Sequence, residues 1–199
     1  MTKPNLPMLD RRQVVKRLLR DRGDALAVAS LGNPTFDLAS AGDSAQNFYL
    51  WGAMGGALMV GLGLAQAQPA KRVIVFAGDG EMMMGLGSLG TVAAHGAGNL
   101  SVVVIDNELY AETGMQPGHT GRGVDIAGVA AACGFPTAIT VRTEEELEKS
   151  VDAIMHGTGP VLVTIKVANE PQTVSLPPRD GPYLRSRFRE ALLGTDAHA

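Results

Sequence analysis

The chain has 199 residues, 45% hydrophobic and 19% charged, with a formal net charge of −3; this suits one domain with a buried core and excludes a disordered chain. The slight acidity leaves no electrostatic footprint for nucleic acid. A single cysteine, Cys133, excludes an internal disulfide and any multi-cysteine metal or iron–sulfur centre.

Asp10 is a helix cap, and Val14, Val15, Leu18 and Leu19 give an apolar stripe, so residues 10–22 predict a helix stopped by Gly23. The N-terminal residues show no signal-peptide core, and this and the lack of a disulfide fit an expected cytoplasmic location. Residues 25–31 predict a strand, broken at Gly32-Asn33-Pro34. Asn33 is either a turn residue or a polar group facing a ligand. Residues 35–49 read as polar and irregular. The apolar stretch 50–67 is interrupted by Gly52, Gly55, Gly56, Gly61 and Gly63. It predicts a helix over 55–66, not a membrane span.

A strand at 73–77 ends in Gly78-Asp79-Gly80, a helix follows over 85–95, and a second strand at 101–105 ends in Asp106-Asn107. Residues 107–123 form a long polar loop, of a length that usually serves function. A helix at 124–133, a strand at 137–141, a Thr143/Glu146 capping box opening a helix to His156, and a strand at 161–167 complete the pattern. Residues 168–182 are proline-rich and extended, and 183–193 predict a last helix. Strands alternating with helices predict an α/β fold: a doubly wound, mostly parallel sheet with helices on both faces.

Asn107 lies 28 positions after Asp79, at the end of the next strand. If the two strands are parallel neighbours, both residues reach one sheet edge, where open α/β sheets bind ligands. A carboxylate, an amide oxygen and the Leu109 carbonyl are hard ligands suited to Mg²⁺ holding a diphosphate. The glycines beside Asp79 let the backbone approach a phosphate, with the N–H groups of Gly80 and Glu81 as donors.

Gly-Asp-Gly followed by Asp106-Asn107 resembles the thiamine diphosphate enzymes, whose motif is Gly-Asp-Gly and then Asn-Asn; Asp106 stands where the first Asn is usual. Trp51-Gly52-Ala53-Met54-Gly55 is similar to the family's Gly-Ser/Ala-hydrophobic-Gly segment. The resemblance covers about residues 10–170, a pyrophosphate-binding domain spanning 1–199 with a C-terminal extension from 171. It implies thiamine diphosphate and Mg²⁺ as cofactors. Gly78, Asp79, Gly80, Glu81, Asn107, Leu109 and Tyr110 would line the diphosphate, and Asp79, Asn107 and Leu109 would hold the metal. The Gly52 carbonyl would accept from the aminopyrimidine, and Met54, beside Ala53, would wedge between the cofactor's rings. Glu81 is expected to shape its turn through its backbone.

The family's second half, a pyrimidine-binding domain with an activating glutamate, resembles nothing in this chain. The resemblance therefore implies a partner α subunit supplying that glutamate, in a hetero-oligomer of two or more αβ pairs. The loop DNELYAETGMQPGHT resembles that of sulfopyruvate decarboxylase β subunits and of phosphonopyruvate decarboxylases. The implied activity is decarboxylation of a small 2-oxo acid to an aldehyde and carbon dioxide. His119 is the candidate proton donor, and Arg122 the candidate partner for an anionic substrate tail. Tyr110 and Glu112 are candidates to line the cleft. The competing readings are a carboligase subunit and a non-catalytic phosphate-binding α/β module. A 2-oxo acid:ferredoxin oxidoreductase subunit is disfavoured by the single cysteine and short C-terminus.

Overall fold

A computed structural model describes residues 8–198; the signal-peptide reading of residues 1–7 lies outside the described residues. The helices are α1 (Arg11–Leu19), α2 (Asn33–Ser40), α3 (Ala57–Ala67), α4 (Asp79–Met84), α5 (Ser88–His95), α6 (Ile126–Cys133), α7 (Glu144–His156) and α8 (Gly181–Leu193). The strands are β1 (Leu26–Ala29), β2 (Asn47–Tyr49), β3 (Val73–Gly78), β4 (Leu100–Asp106), β5 (Leu109–Tyr110), β6 (Gln116–Pro117), β7 (Thr137–Val141) and β8 (Val161–Lys166).

Six strands form one parallel sheet in the order β2-β1-β3-β4-β8-β7. The central strands are short, mostly apolar runs, buried but for Gly78 at the end of β3, as both-sided burial requires. One core packs α1, α2 and α7 against Ala27, Ile74, Phe76, Val103 and Val163. The other packs α3 to α6 against Val28, Val75, Val102 and Leu162. α3 lies close on the sheet because it carries glycine: a Cβ on Gly61 would stand 2.2 Å from Val75 Cγ2. α8 covers the edge strand β2, with the Phe188 ring tilted against Phe48 at 5.4 Å between centroids and Arg187 paired to Asp43 at 2.6 Å.

The alternating pattern, the Asp10 cap and the Thr143/Glu146 capping box stand as expected. Three segments differ. Residues 35–49 are not irregular: Pro34 sits in the first turn of α2, where its missing N–H costs nothing, and Asn47–Tyr49 joins the sheet edge. A helix also begins at Asp79 itself rather than at 85, so the glycine turn feeds directly into α4. The loop after β4 folds back as the β5–β6 hairpin, with one 3-10 turn (Ala111–Thr113) in its connection and another (Thr120–Arg122) after it. Among the described residues no helix is long and apolar enough to cross a membrane.

Candidate functional site

β1 leads outward to β2, while β3 and β4 lie on its other side, so the strand order reverses between β1 and β3. At such a reversal the loops leaving the C-terminal strand ends part and leave a crevice. Here they are the β1–α2 turn (Leu31–Pro34), the Gly78–Glu81 turn after β3, and the residues after β4. The crevice holds about 420 Å³ and is lined also by Arg11, Trp51, Met54, Asn107, Leu109, Tyr110, Glu112 and Arg179. Gly32, at φ +83°, faces Glu112 across it; a Cβ there would meet Glu112 Oε1 at 3.1 Å. A second cavity, of about 470 Å³ at the opposite sheet edge, has no comparable chemistry. Its Arg72 guanidinium is spent on the Met155 and Gly157 carbonyls and Ser101 Oγ.

Asp79 and Asn107 reach the crevice from adjacent strands, with Gly78 paired to Ile105 in register. Asp79 is 4% exposed and Asp106, fully buried, lies beside it. One hydroxyl, Thr120 Oγ1, contacts both, at 3.1 Å from Asp79 Oδ2 and 2.8 Å from Asp106 Oδ1. Burial first, and then the charge of Asp106, push the Asp79 carboxyl up from 3.8 to about 6. Lys166 Nζ, from β8, pairs with Asp106 Oδ2 at 2.6 Å and with Glu108 Oε1 at 2.8 Å.

Asn107 Oδ1 accepts from the Leu109 N–H at 3.1 Å and Asp106 Oδ1 from the Glu108 N–H at 3.0 Å, two successive Asx turns that fix the bend. Glu108 takes φ +64° there, and its carbonyl accepts from Gly118 N at 2.8 Å. Gly118 and Gly121 let the returning strand of the loop pass: Cβ atoms on them would stand 3.1 Å from Asp79 Oδ2 and 2.8 Å from Glu108 O. The Tyr110 ring lies on Gly80, where a Cβ would come within 2.9 Å of it. Its hydroxyl meets His119 Nδ1 at 2.6 Å. His119 and Arg122 do not face the crevice itself. They line an adjoining cavity of about 420 Å³ whose wall, Tyr110 and Thr113, is shared with it.

The two motif blocks touch. Gly55, at φ +88°, packs on Gly85 at the end of α4, and the buried Glu81 carboxylate accepts from the Ala57 N–H at 3.1 Å, capping α3. Glu81 thus acts through its side chain, not only through its backbone. Ala53 sits at φ +55°, a strained setting for a residue with a Cβ, in the bend that presents Met54. Met54 is 45% exposed at the crevice wall, while Gly52 and Ala53 are exposed and are not among the residues that line it. Trp51 Nε1 donates to the Pro178 carbonyl at 3.0 Å, and Arg179 lies over its ring at 5.0 Å, so the C-terminal segment closes one side.

A divalent cation fits this donor set. Lys166 is paired to Asp106 and Glu108, and among the described residues no cationic side chain forms an ion pair with the buried Asp79 carboxylate. Asn107 Oδ1 keeps a lone pair beyond its one accepted bond. Among the described residues no cluster of three His, Cys, Asp or Glu side chains forms a cage. The cation would take its remaining oxygens from an anionic ligand, the habit of Mg²⁺ with phosphates. The sequence reading missed Thr120, Lys166 and Arg11. Only Lys166 left a local sign, a charge inside an apolar strand.

The family described as "Thiamine pyrophosphate enzyme, C-terminal TPP binding domain" matches residues 31–165. Sulfopyruvate decarboxylase subunit beta of Methanocaldococcus jannaschii is 35% identical over 183 residues, covering 90% of this chain and 95% of that one. Phosphonopyruvate decarboxylase of Streptomyces viridochromogenes is 39% identical over 144 residues, 72% of this chain and 36% of that one. The solved thiamine diphosphate-dependent 4-hydroxybenzoylformate decarboxylase of Rhodococcus jostii RHA1 superposes with a TM-score of 0.68 at 18% identity, over 86% of this chain and 35% of that one, and shares the fold. The crevice at the strand reversal, its two motif blocks and these matches agree: the chain belongs to the thiamine pyrophosphate enzyme family, as its C-terminal TPP-binding domain.

Proposed function

We propose that this chain is the pyrophosphate-binding β subunit of a two-subunit, thiamine diphosphate- and Mg²⁺-dependent decarboxylase. It would convert a 2-oxo acid of the sulfopyruvate or phosphonopyruvate kind to an aldehyde and carbon dioxide, in the cytoplasm. The observation that carries this is the placement of Asp79 and Asn107 at the ends of neighbouring parallel strands, opening on the cleft that Met54 walls. The relatives named above support the reaction class. A partner is supported by the archaeal relative, itself named a subunit, of which this chain covers 95%.

Bound thiamine diphosphate supplies the electron sink for carbon–carbon cleavage. Asp79, Asn107 and the Leu109 carbonyl hold Mg²⁺. Gly78 and Gly80 admit the diphosphate to the backbone, and Glu81 fixes the loop that carries Met54 against it. Met54, on the crevice wall, would pack against the cofactor's rings, and the Gly52 carbonyl would accept from its aminopyrimidine. The partner α subunit supplies the activating glutamate, and two or more αβ pairs assemble. His119, oriented by the Tyr110 hydroxyl, returns a proton to the product carbon. Arg122, in the same side cavity, faces the anionic tail of the substrate.

The test is reconstitution. This chain with a pyrimidine-domain partner, Mg²⁺ and thiamine diphosphate should release carbon dioxide from sulfopyruvate or phosphonopyruvate. This chain without the partner should release none. Full activity without the partner would remove the split-site reading, and silence of the complete mixture on every 2-oxo acid tried would remove the decarboxylase reading.

A further inference from the structure

Lys166 is the residue of this site with the least obvious role. It stands in an apolar strand at 8% exposure, and its ammonium reaches Asp106 Oδ2 and Glu108 Oε1, the two acidic residues that flank Asn107. Both oxygens of Asp106 are engaged: Oδ1 accepts from the Glu108 N–H and the Thr120 hydroxyl, and Oδ2 forms the ion pair with Lys166. A hydroxyl has one proton. Thr120 therefore serves one of the two carboxylates at a time, and when its proton goes to Asp106, the nearer at 2.8 Å against 3.1 Å, Asp79 Oδ2 is without that donor. Two ionised carboxylates joined through one hydroxyl would by themselves make a dicarboxylate cation site, because attraction for a divalent ion grows with each unpaired charge. Lys166 removes one of those charges.

We propose that Lys166 makes cation binding at Asp79 depend on the cofactor. By pairing with Asp106, and with Glu108 at the rim, it leaves Asp79 the one of these three carboxylates without an ammonium partner, too little to retain a divalent ion until diphosphate oxygens arrive. The position where this chain has Asp instead of the more usual Asn thus carries its own counter-charge. Lys166 is a positioning residue that sets the order and coupling of the two ligands. This rests on the assignment of Asp79 to the cation under the proposed function.

The test uses the full chain and Mn²⁺ alone, with free Mn²⁺ read by electron paramagnetic resonance, then repeated with thiamine diphosphate. The wild type should bind Mn²⁺ weakly alone and more tightly with the cofactor. Lys166→Met should bind Mn²⁺ alone roughly tenfold more tightly or better, and the gain from the cofactor should shrink by a like factor. Adding Asp106→Asn to Lys166→Met should restore the wild-type behaviour, which loss of packing would not do. An unchanged or weakened Mn²⁺ affinity in Lys166→Met, or no reversal in the double variant, overturns the proposal. Should Lys166→Met not fold, Asp106→Asn alone decides: cofactor-free Mn²⁺ affinity should fall, and an unchanged value overturns it. Asp79→Asn separates the two readings. Retention of Mn²⁺ in that variant would place the cation elsewhere and sink the site assignment itself, whereas loss there with no effect at Lys166 would sink only the role of Lys166.

Discussion

Gly55 and Gly85 meet backbone to backbone: a Cβ on Gly85 would lie 2.2 Å from the Gly55 carbonyl oxygen. This contact joins the loop that carries Met54 to the helix that begins at Asp79. Gly85 itself has φ −105°, which any residue adopts, so Gly85→Ala tests the contact without backbone strain. We expect a loss of about 1–3 kcal/mol in denaturant unfolding from overpacking. Thiamine diphosphate affinity should fall as well, because the loop must shift to admit the methyl.

The cofactor-free chain should lose stability as pH rises through the window of Asp79. Its carboxyl titrates near 6 when folded and near 3.8 otherwise, so between those values the folded chain holds a proton that the unfolded chain has released. The stabilisation is complete below pH 3.8 and gone once pH passes about 6. Asp79→Asn should flatten this slope and raise the stability of the cofactor-free chain at neutral pH by about 1–3 kcal/mol. Thermal unfolding of both proteins from pH 4 to 8, without metal, checks it. The same variant should fail to bind Mg²⁺ with thiamine diphosphate.

Tyr110→Phe keeps the ring on Gly80 and removes only the hydroxyl at 2.6 Å from His119 Nδ1. In the reconstituted complex we expect kcat to fall about tenfold with this variant and about a hundredfold with His119→Gln. Cofactor affinity should change little in either. Steady-state rates against substrate and against thiamine diphosphate separate the two quantities; equal losses in both would show that the pair supports the loop and not the proton transfer.

Phe188 anchors α8 over the edge strand at 7% exposure. Phe188→Ala should cost about 2–4 kcal/mol in denaturant unfolding, since a buried aromatic leaves a cavity that the surrounding side chains cannot fill. It should also expose β2, and light scattering at raised concentration would register the resulting self-association.

The periodic parts of this fold are written locally. β7 spans Thr137–Val141 as its composition predicts, and α7 begins at a capping box visible in four residues. α2 was obscured because its buried face includes Asp37, whose partner Arg11, 2.5 Å away, comes from another helix. A polar residue with a distant partner looks like a loop residue in sequence. The same applies to the site. Asp79 and Asn107 declare themselves by spacing along one strand–helix–strand unit. Thr120 and Lys166 do not, since they reach Asp106 from a loop and from a strand more remote in the chain. Glu81 was assigned to its own turn because its reach to Ala57 depends on how α4 docks against α3.

Trp51 is the only tryptophan in the chain, and it stands at the wall of the crevice, tethered to the C-terminal segment through Pro178 and covered by Arg179. Excited to the red of the three tyrosines, the protein therefore emits from one indole, at the place where ligands would enter. Quenching or spectral shift of its emission reports on that crevice alone, so occupancy can be followed optically with no label and no turnover.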